Sequence, residues 1–168
     1  MSAPRSLDSL DLAVLDPASM HRRIAGLAVD ARHAHEAAAG LDWTARPRPR
    51  ALAVSGMGGS AIAADLLRGY LEEELEFPVA VVRDYSLPGW VTPDCLFVAS
   101  SYSGNTEETL AAYLEARRRG VPRVALCSGG RLADLANEDG VPRASYPPGY
   151  PPRAPRWRGR SSPCWGCS

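Results

Sequence analysis

The chain has 168 residues, 45% hydrophobic and 23% charged, and its 19 Lys+Arg balance 19 Asp+Glu to a formal net charge of zero. That composition fits one soluble globular domain and excludes a strong electrostatic field for nucleic acid or a membrane surface. No apolar run approaches the roughly 20 residues that span a bilayer, and residues 1–16 lack a signal-peptide core, so a cytoplasmic protein is expected. Every basic side chain other than histidine is arginine. Without lysine, neither a Walker-type phosphate loop nor a Schiff base can be encoded, so a phosphate contact must use arginine, backbone N–H groups or a helix N-terminus.

In chain order, residues 20–40 are alanine-rich with apolar residues at helical spacing. Pro17-Ala18-Ser19 is placed to open that helix, and Arg46-Pro-Arg-Pro-Arg50 ends it. The apolar run 51–54 reads as a strand leading into Ser55-Gly-Met-Gly-Gly-Ser60. A helix over 61–74 follows, with Ile62, Leu66, Leu67, Tyr70 and Leu71 on one face. Strands are predicted over 78–82, 95–99 and 123–127, with a fifth candidate at 141–146. Helices are predicted to about Arg119 and from Gly129-Gly130 to about Asn137. Short apolar strands alternating with helices predict an α/β fold, a three-layer α/β/α sandwich around a mostly parallel sheet of about five strands. Such sheets bind ligands beyond the carboxyl ends of their strands, where the two Gly/Ser loops fall. Cys95 and Cys127 lie inside apolar runs and read as small buried hydrophobes.

The loop Ser101-Tyr-Ser103-Gly-Asn-Thr106-Glu-Glu108 gathers three hydroxyls before a helix, with Asn105 and Glu108 spaced as a capping box. A helix N-terminus supplies unpaired N–H groups and a partial positive charge, so the loop reads as an anion cradle that needs no lysine. Gly56-Met-Gly58-Gly59-Ser60-Ala61 is ambiguous. It fits the G-x-G-x-x-G/A dinucleotide fingerprint with Asp84 as a ribose partner, or it serves helix–strand packing beside a sugar-phosphate site. The hydroxyl-rich loop after the third strand favours the sugar phosphate, because a dinucleotide fold does not require a second phosphate nest. Glu107 and Glu108 suit the helix dipole better than a catalytic base. Asp84 reads as a turn residue before Leu87-Pro-Gly89, and His33 and His35 as surface or subunit-contact residues.

The blocks GMGGSA (56–61), RDYSLP (83–88), SYSGNTEET (101–109) and PGYPPR (148–153) follow one another as in bifunctional phosphoglucose/phosphomannose isomerases, and the chain resembles the N-terminal sugar-isomerase (SIS) domain of that family over residues 10–154. The resemblance implies an N-terminal helical segment over 1–45 and a SIS domain over 46–154. It implies that Gly58, Gly59 and Ser60 contact an open-chain sugar, that Ser101, Ser103 and Thr106 hold its phosphate, and that Arg153 stabilises an enediolate at C1–C2. The implied partner is a hexose 6-phosphate (glucose, mannose or fructose 6-phosphate) with no metal or other cofactor, in a homodimer or other self-associated form. Family members carry two SIS domains, and their base and ring-opening histidine come from the second half or a partner subunit. The second domain is expected to be absent here, and the last carboxylate side chain in the sequence is Asp139. Residues 155–168 read as an aberrant unstructured tail from a frameshift, and Cys164-Trp-Gly-Cys167 there lacks the partners of a redox or zinc site.

Overall fold

A computed structural model describes residues 15–17, 19–39 and 48–146. Arg153, the PGYPPR block and the 155–168 tail lie outside the described residues. Helix α1 runs over Met20–Ala39. The sequence places its opening at Pro17-Ala18-Ser19, but the side chain that satisfies its first amides is Asp16, which accepts from the Met20 and His21 N–H groups at 2.8 Å each. These two bonds, with the His21 ring at 2.7 Å, hold the Asp16 carboxyl down at about 2.

The rest is a five-stranded sheet built from β1 (Leu52–Ser55), β2 (Val79–Val82), β3 (Leu96–Ser100), β4 (Arg123–Leu126) and β5 (Arg143–Ala144). Every pairing is parallel and the order is β2-β1-β3-β4-β5. Helices α2 (Gly59–Leu71), α3 (Glu107–Arg118) and α4 (Gly130–Glu138) make the crossovers. From β1 the chain steps to one side for β2 and then to the other for β3, β4 and β5. Right-handed crossovers therefore put α2 on one face and α3 with α4 on the other.

Register and burial agree with that division. Ala53, Val82, Phe97, Ala99 and Ala125 share one face of the sheet and pack in a single cluster with Ala112, Tyr113 and Ala116 of α3 and Leu132 and Ala136 of α4. Phe97 and Tyr113 are fully enclosed, each contributing about 2–3 kcal/mol of burial free energy. On the other face, Val54 and Val124 are buried, and Ala61 and Ala64 are the buried side chains of α2.

The connection from β2 to β3, residues 83–95, contains no helix. It fills the core with Leu87, Val91 and Cys95, and two α3 side chains hold its backbone. The Leu87 N–H donates to Glu115 at 2.9 Å, while Arg119 donates to the carbonyls of Leu87 (2.8 Å) and Pro88 (2.7 Å) and pairs with Glu115 (2.5 Å). Cys95 and Cys127 are both buried and free, as their apolar surroundings predict, and burial pushes the Cys127 thiol up. No described helix is long and apolar enough to cross a membrane.

Candidate functional site: a hydroxyl-lined cradle at the switch point

In a sheet ordered β2-β1-β3, the switch point lies between β1 and β3, where consecutive connections leave in opposite directions and a crevice opens at the carboxyl ends. The loops after those two strands are the Gly56–Gly58 and Ser101–Thr106 segments. The order differs from the 3-2-1-4-5-6 of dinucleotide-binding folds, which weakens the fingerprint reading of the glycine loop.

In the glycine loop, a β-carbon on Gly56 would come 3.0 Å from the Ser100 carbonyl oxygen and 3.2 Å from the Ser60 carbonyl carbon, so Gly56 serves the close approach of loop and strand. Gly58 caps α2 with φ +53°, a left-handed conformation that favours glycine. Gly58 and Gly59 are exposed, and a β-carbon on either would meet nothing within 4 Å. Ser60 is half-buried beside them. The two glycines thus present bare backbone to open space at the mouth of the crevice.

The second loop is turned tightly by its own hydroxyls. Ser101 is 2% exposed. Its Oγ lies 2.9 Å from Thr106 Oγ1 and accepts the Gly104 N–H at 3.1 Å. A hydroxyl has one proton and two acceptor sites. If Ser101 donates to Thr106, the Thr106 proton is left for a ligand. Ser103, on the exposed rim, accepts the Asn105 N–H at 3.2 Å and keeps its own proton.

Thr106 is the N-cap residue of α3, but its hydroxyl is spent on Ser101 and makes no side-chain cap. The first-turn amides of a helix have no intrahelical acceptor, so they are left facing the cradle. The capping box expected from Asn105 and Glu108 is not formed. Asn105 instead ties two loops together: its Nδ2 donates to the Ser103 carbonyl at 3.1 Å and its Oδ1 accepts the Arg131 N–H at 3.0 Å. The cap was given up because the Asn105 side chain has a tertiary partner 26 residues away.

The loop after β4 completes the floor. Ser128 N–H donates to the Tyr102 carbonyl at 3.0 Å and Leu132 N–H to the Gly104 carbonyl at 2.9 Å. Gly104, at φ +68°, lies so close to this loop that a β-carbon would fall 1.8 Å from the Gly129 carbonyl oxygen. Tyr102 packs on Tyr146 with ring centroids 5.1 Å apart, and the Tyr146 hydroxyl lies 3.3 Å from Ser100 Oγ. Gly129, Tyr102 and Tyr146 have supporting roles that sequence reasoning did not assign, and Asn105, expected in a capping box, ties the loops together instead. Their partners are distant in sequence, so no local pattern marks them.

Glu107 and Glu108 occupy the first turn of α3, where the dipole favours them. Tyr85, from the loop after β2, donates to Glu107 at 3.5 Å, and the neighbouring Glu108 charge, then burial and Glu107, push its phenol up. Asp84 accepts the Tyr85 N–H at 2.6 Å, the turn role expected of it. His33 and His35 lie exposed on α1, and no metal-binding cluster occurs among the described residues. A groove of about 410 Å³ lined in part by Arg68, Leu75, Phe77 and Pro78 opens at the amino end of β2, the opposite end of the sheet from these loops.

A SIS-domain family model matches residues 48–139, more than half of the chain, and the chain belongs to the SIS-domain family. Among curated proteins it is 46% identical over 101 residues to the bifunctional phosphoglucose/phosphomannose isomerase of Caldicellulosiruptor bescii, covering 60% of this chain and 30% of that protein. It is 38% identical over 103 residues to the D-glucosamine-6-phosphate 4-epimerase of Sulfolobus acidocaldarius, covering 61% of this chain and 32% of that protein. The chain thus spans about a third of the length of the curated relatives it matches. A crystal structure provisionally assigned as a phosphosugar isomerase from Clostridium difficile 630 superposes with a TM-score of 0.53 at 19% identity, covering 64% of this chain and 32% of that one, and shares its fold.

Proposed function

We propose that the chain is the sugar-phosphate-binding unit of an aldose–ketose isomerase acting on hexose 6-phosphates, interconverting glucose 6-phosphate or mannose 6-phosphate with fructose 6-phosphate. The observation that carries this reading is the Ser101–Thr106 hydroxyl pair, buried at Ser101 and 2.9 Å apart, beside a helix N-terminus left without a side-chain cap. Ser101, Ser103, Thr106 and the first amides of α3 take the phosphate. The open backbone at Gly58 and Gly59, with Ser60, takes the extended sugar. Arg153, outside the described residues, supplies the positive charge at C1–C2 that a developing enediolate needs. The names of the curated relatives support a hexose phosphate as substrate and bear on its chemistry; the 4-epimerase among them shows that related chains work on other carbons of a similar ligand.

A second reading is a SIS module that binds the sugar phosphate without converting it. It is favoured by the position of the described histidines: His21, His33 and His35 all belong to α1, and none comes from the loops that build the cradle. Incubating the purified chain with fructose 6-phosphate in deuterated water separates the two. Solvent deuterium appearing in the C2 position of glucose or mannose 6-phosphate establishes isomerisation. Thermal stabilisation by the ligand without exchange leaves the binding module. Neither exchange nor stabilisation contradicts both.

A further inference from the structure

Arg131 is a cation at the wrong end of its own helix. It is the second residue of α4, whose first turn carries no acidic side chain. The amino end of a helix is positive, so a cation there is disfavoured unless an anion stands beside it. Its side chain is also turned from the usual course. Long helical side chains lean back over the turn before them, which for Arg131 is the direction of the cradle. Arg131 instead reaches two turns forward along α4 and pairs with Glu138 at 3.2 Å. The two side chains are 55% and 51% exposed, and a pair so open is weakly held.

The backbone of the same residue is fixed to the cradle. Arg131 N–H donates to Asn105 Oδ1 at 3.0 Å, and Asn105 Nδ2 donates to the Ser103 carbonyl at 3.1 Å. A β-carbon on Gly130 would fall 2.4 Å from that carbonyl oxygen, so Arg131 starts one residue from the cradle wall. A phosphate dianion held by Ser101, Ser103 and Thr106 also lies beside Glu107 and Glu108 in the first turn of α3, whose charges oppose it. The hydroxyls and amides offer it hydrogen bonds but no full positive charge. Resting on the sugar-phosphate reading of this cradle, we propose that Arg131 is the cationic arm of the phosphate site and Glu138 its latch. When the phosphate enters, the guanidinium leaves the Glu138 carboxylate and turns back past Ser103 to the phosphate, with two parallel N–H donors to offer. The same move sets an anion at the amino end of α4, which removes the conflict with the dipole. Arg131 therefore adds affinity for the phosphate group and none for the sugar.

Dissociation constants of inorganic phosphate and of fructose 6-phosphate, read from the amides of residues 101–109 in the ¹⁵N-labelled full chain, test this. Arg131→Gln is expected to weaken both ligands by the same factor, about tenfold, and Arg131→Lys to recover part of that loss. Glu138→Gln frees the arm and is expected to tighten both about twofold, a direction that a merely structural pair would not give. Arg48→Gln removes the same charge beside Glu76, at the opposite end of the sheet, and is expected to change neither constant. Wild-type affinity in Arg131→Gln, weaker binding in Glu138→Gln, or an equal loss in Arg48→Gln overturns the inference and leaves the cradle standing. No response at 101–109 in the wild-type chain overturns the phosphate reading, and the inference with it.

Discussion

A β-carbon on Gly104 would overlap the Gly129 carbonyl, and the residue's φ is +68°. Both facts make this glycine the point where the two loops under the cradle close. Gly104→Ala is expected to lose about 2 kcal/mol or more of stability, the left-handed cost with a backbone clash added, and to lose phosphate binding with it. Urea denaturation and a phosphate titration measure the two effects. At the amino end of β4 the same scale governs a different cluster. Asp139, 4% exposed in its side chain, pairs with Arg117 at 3.1 Å and Arg123 at 3.2 Å and accepts the Tyr113 hydroxyl at 2.9 Å. Removing one member of a buried ion pair strands the others, so Asp139→Ala is expected to cost about 3 kcal/mol in urea denaturation with sugar-phosphate affinity unchanged. Asp16 gives a pH signature. Its folded carboxyl lies at about 2, below the ordinary value of 3.8. The stabilisation it gives to the start of α1 is therefore complete above about pH 4 and is lost as pH falls towards 2. NMR titration of the carboxyl is expected to find a midpoint near 2, and Asp16→Asn to speed amide exchange at Met20 and His21.

The elements were largely legible, because short apolar strands bounded by glycine leave few alternatives. The strand expected over 95–99 is β3 at Leu96–Ser100, and the helix expected to about Arg119 ends at Arg118. Orientation was less legible. The stripe Ile62, Leu66, Leu67, Tyr70 and Leu71 is visible at helical spacing, but α2 buries its alanines and shows all of the stripe except Leu71 largely to solvent. Periodicity identifies an apolar face, whereas the sheet chooses which face lies against it, and small alanines permit the closer approach. The non-helical 83–95 connection was equally hidden, since its order depends on Glu115 and Arg119 reaching across from α3. Arg119→Ala removes donors to three carbonyls. The expected loss is about 1–3 kcal/mol, accompanied by faster hydrogen exchange at Leu87 and Val91; a change spread evenly over the sheet would contradict the clamp.

At the scale of the whole molecule, an α/β fold with a parallel sheet follows from the alternation of elements, but the order β2-β1-β3-β4-β5 does not. That order sets the glycine loop across a switch point from the hydroxyl loop and weakens its dinucleotide reading. The three hydroxyls of the cradle were legible because they are local in sequence. The tertiary ties that shape it, Asn105 to Arg131 and Tyr102 to Tyr146, join segments 26 and 44 residues apart and had no sequence signal. The central claim is that Ser101–Thr106 and the start of α3 hold the phosphate of a sugar. Titrating fructose 6-phosphate into ¹⁵N-labelled chain, with inorganic phosphate in parallel, tests it most directly. The account predicts that both ligands shift the amides of residues 101–109, that only the sugar phosphate also shifts 58–60, and that both responses vanish when Ser103→Ala and Thr106→Ala are combined. Shifts confined to the groove around Phe77 and Pro78, or undiminished in the double variant, would contradict it.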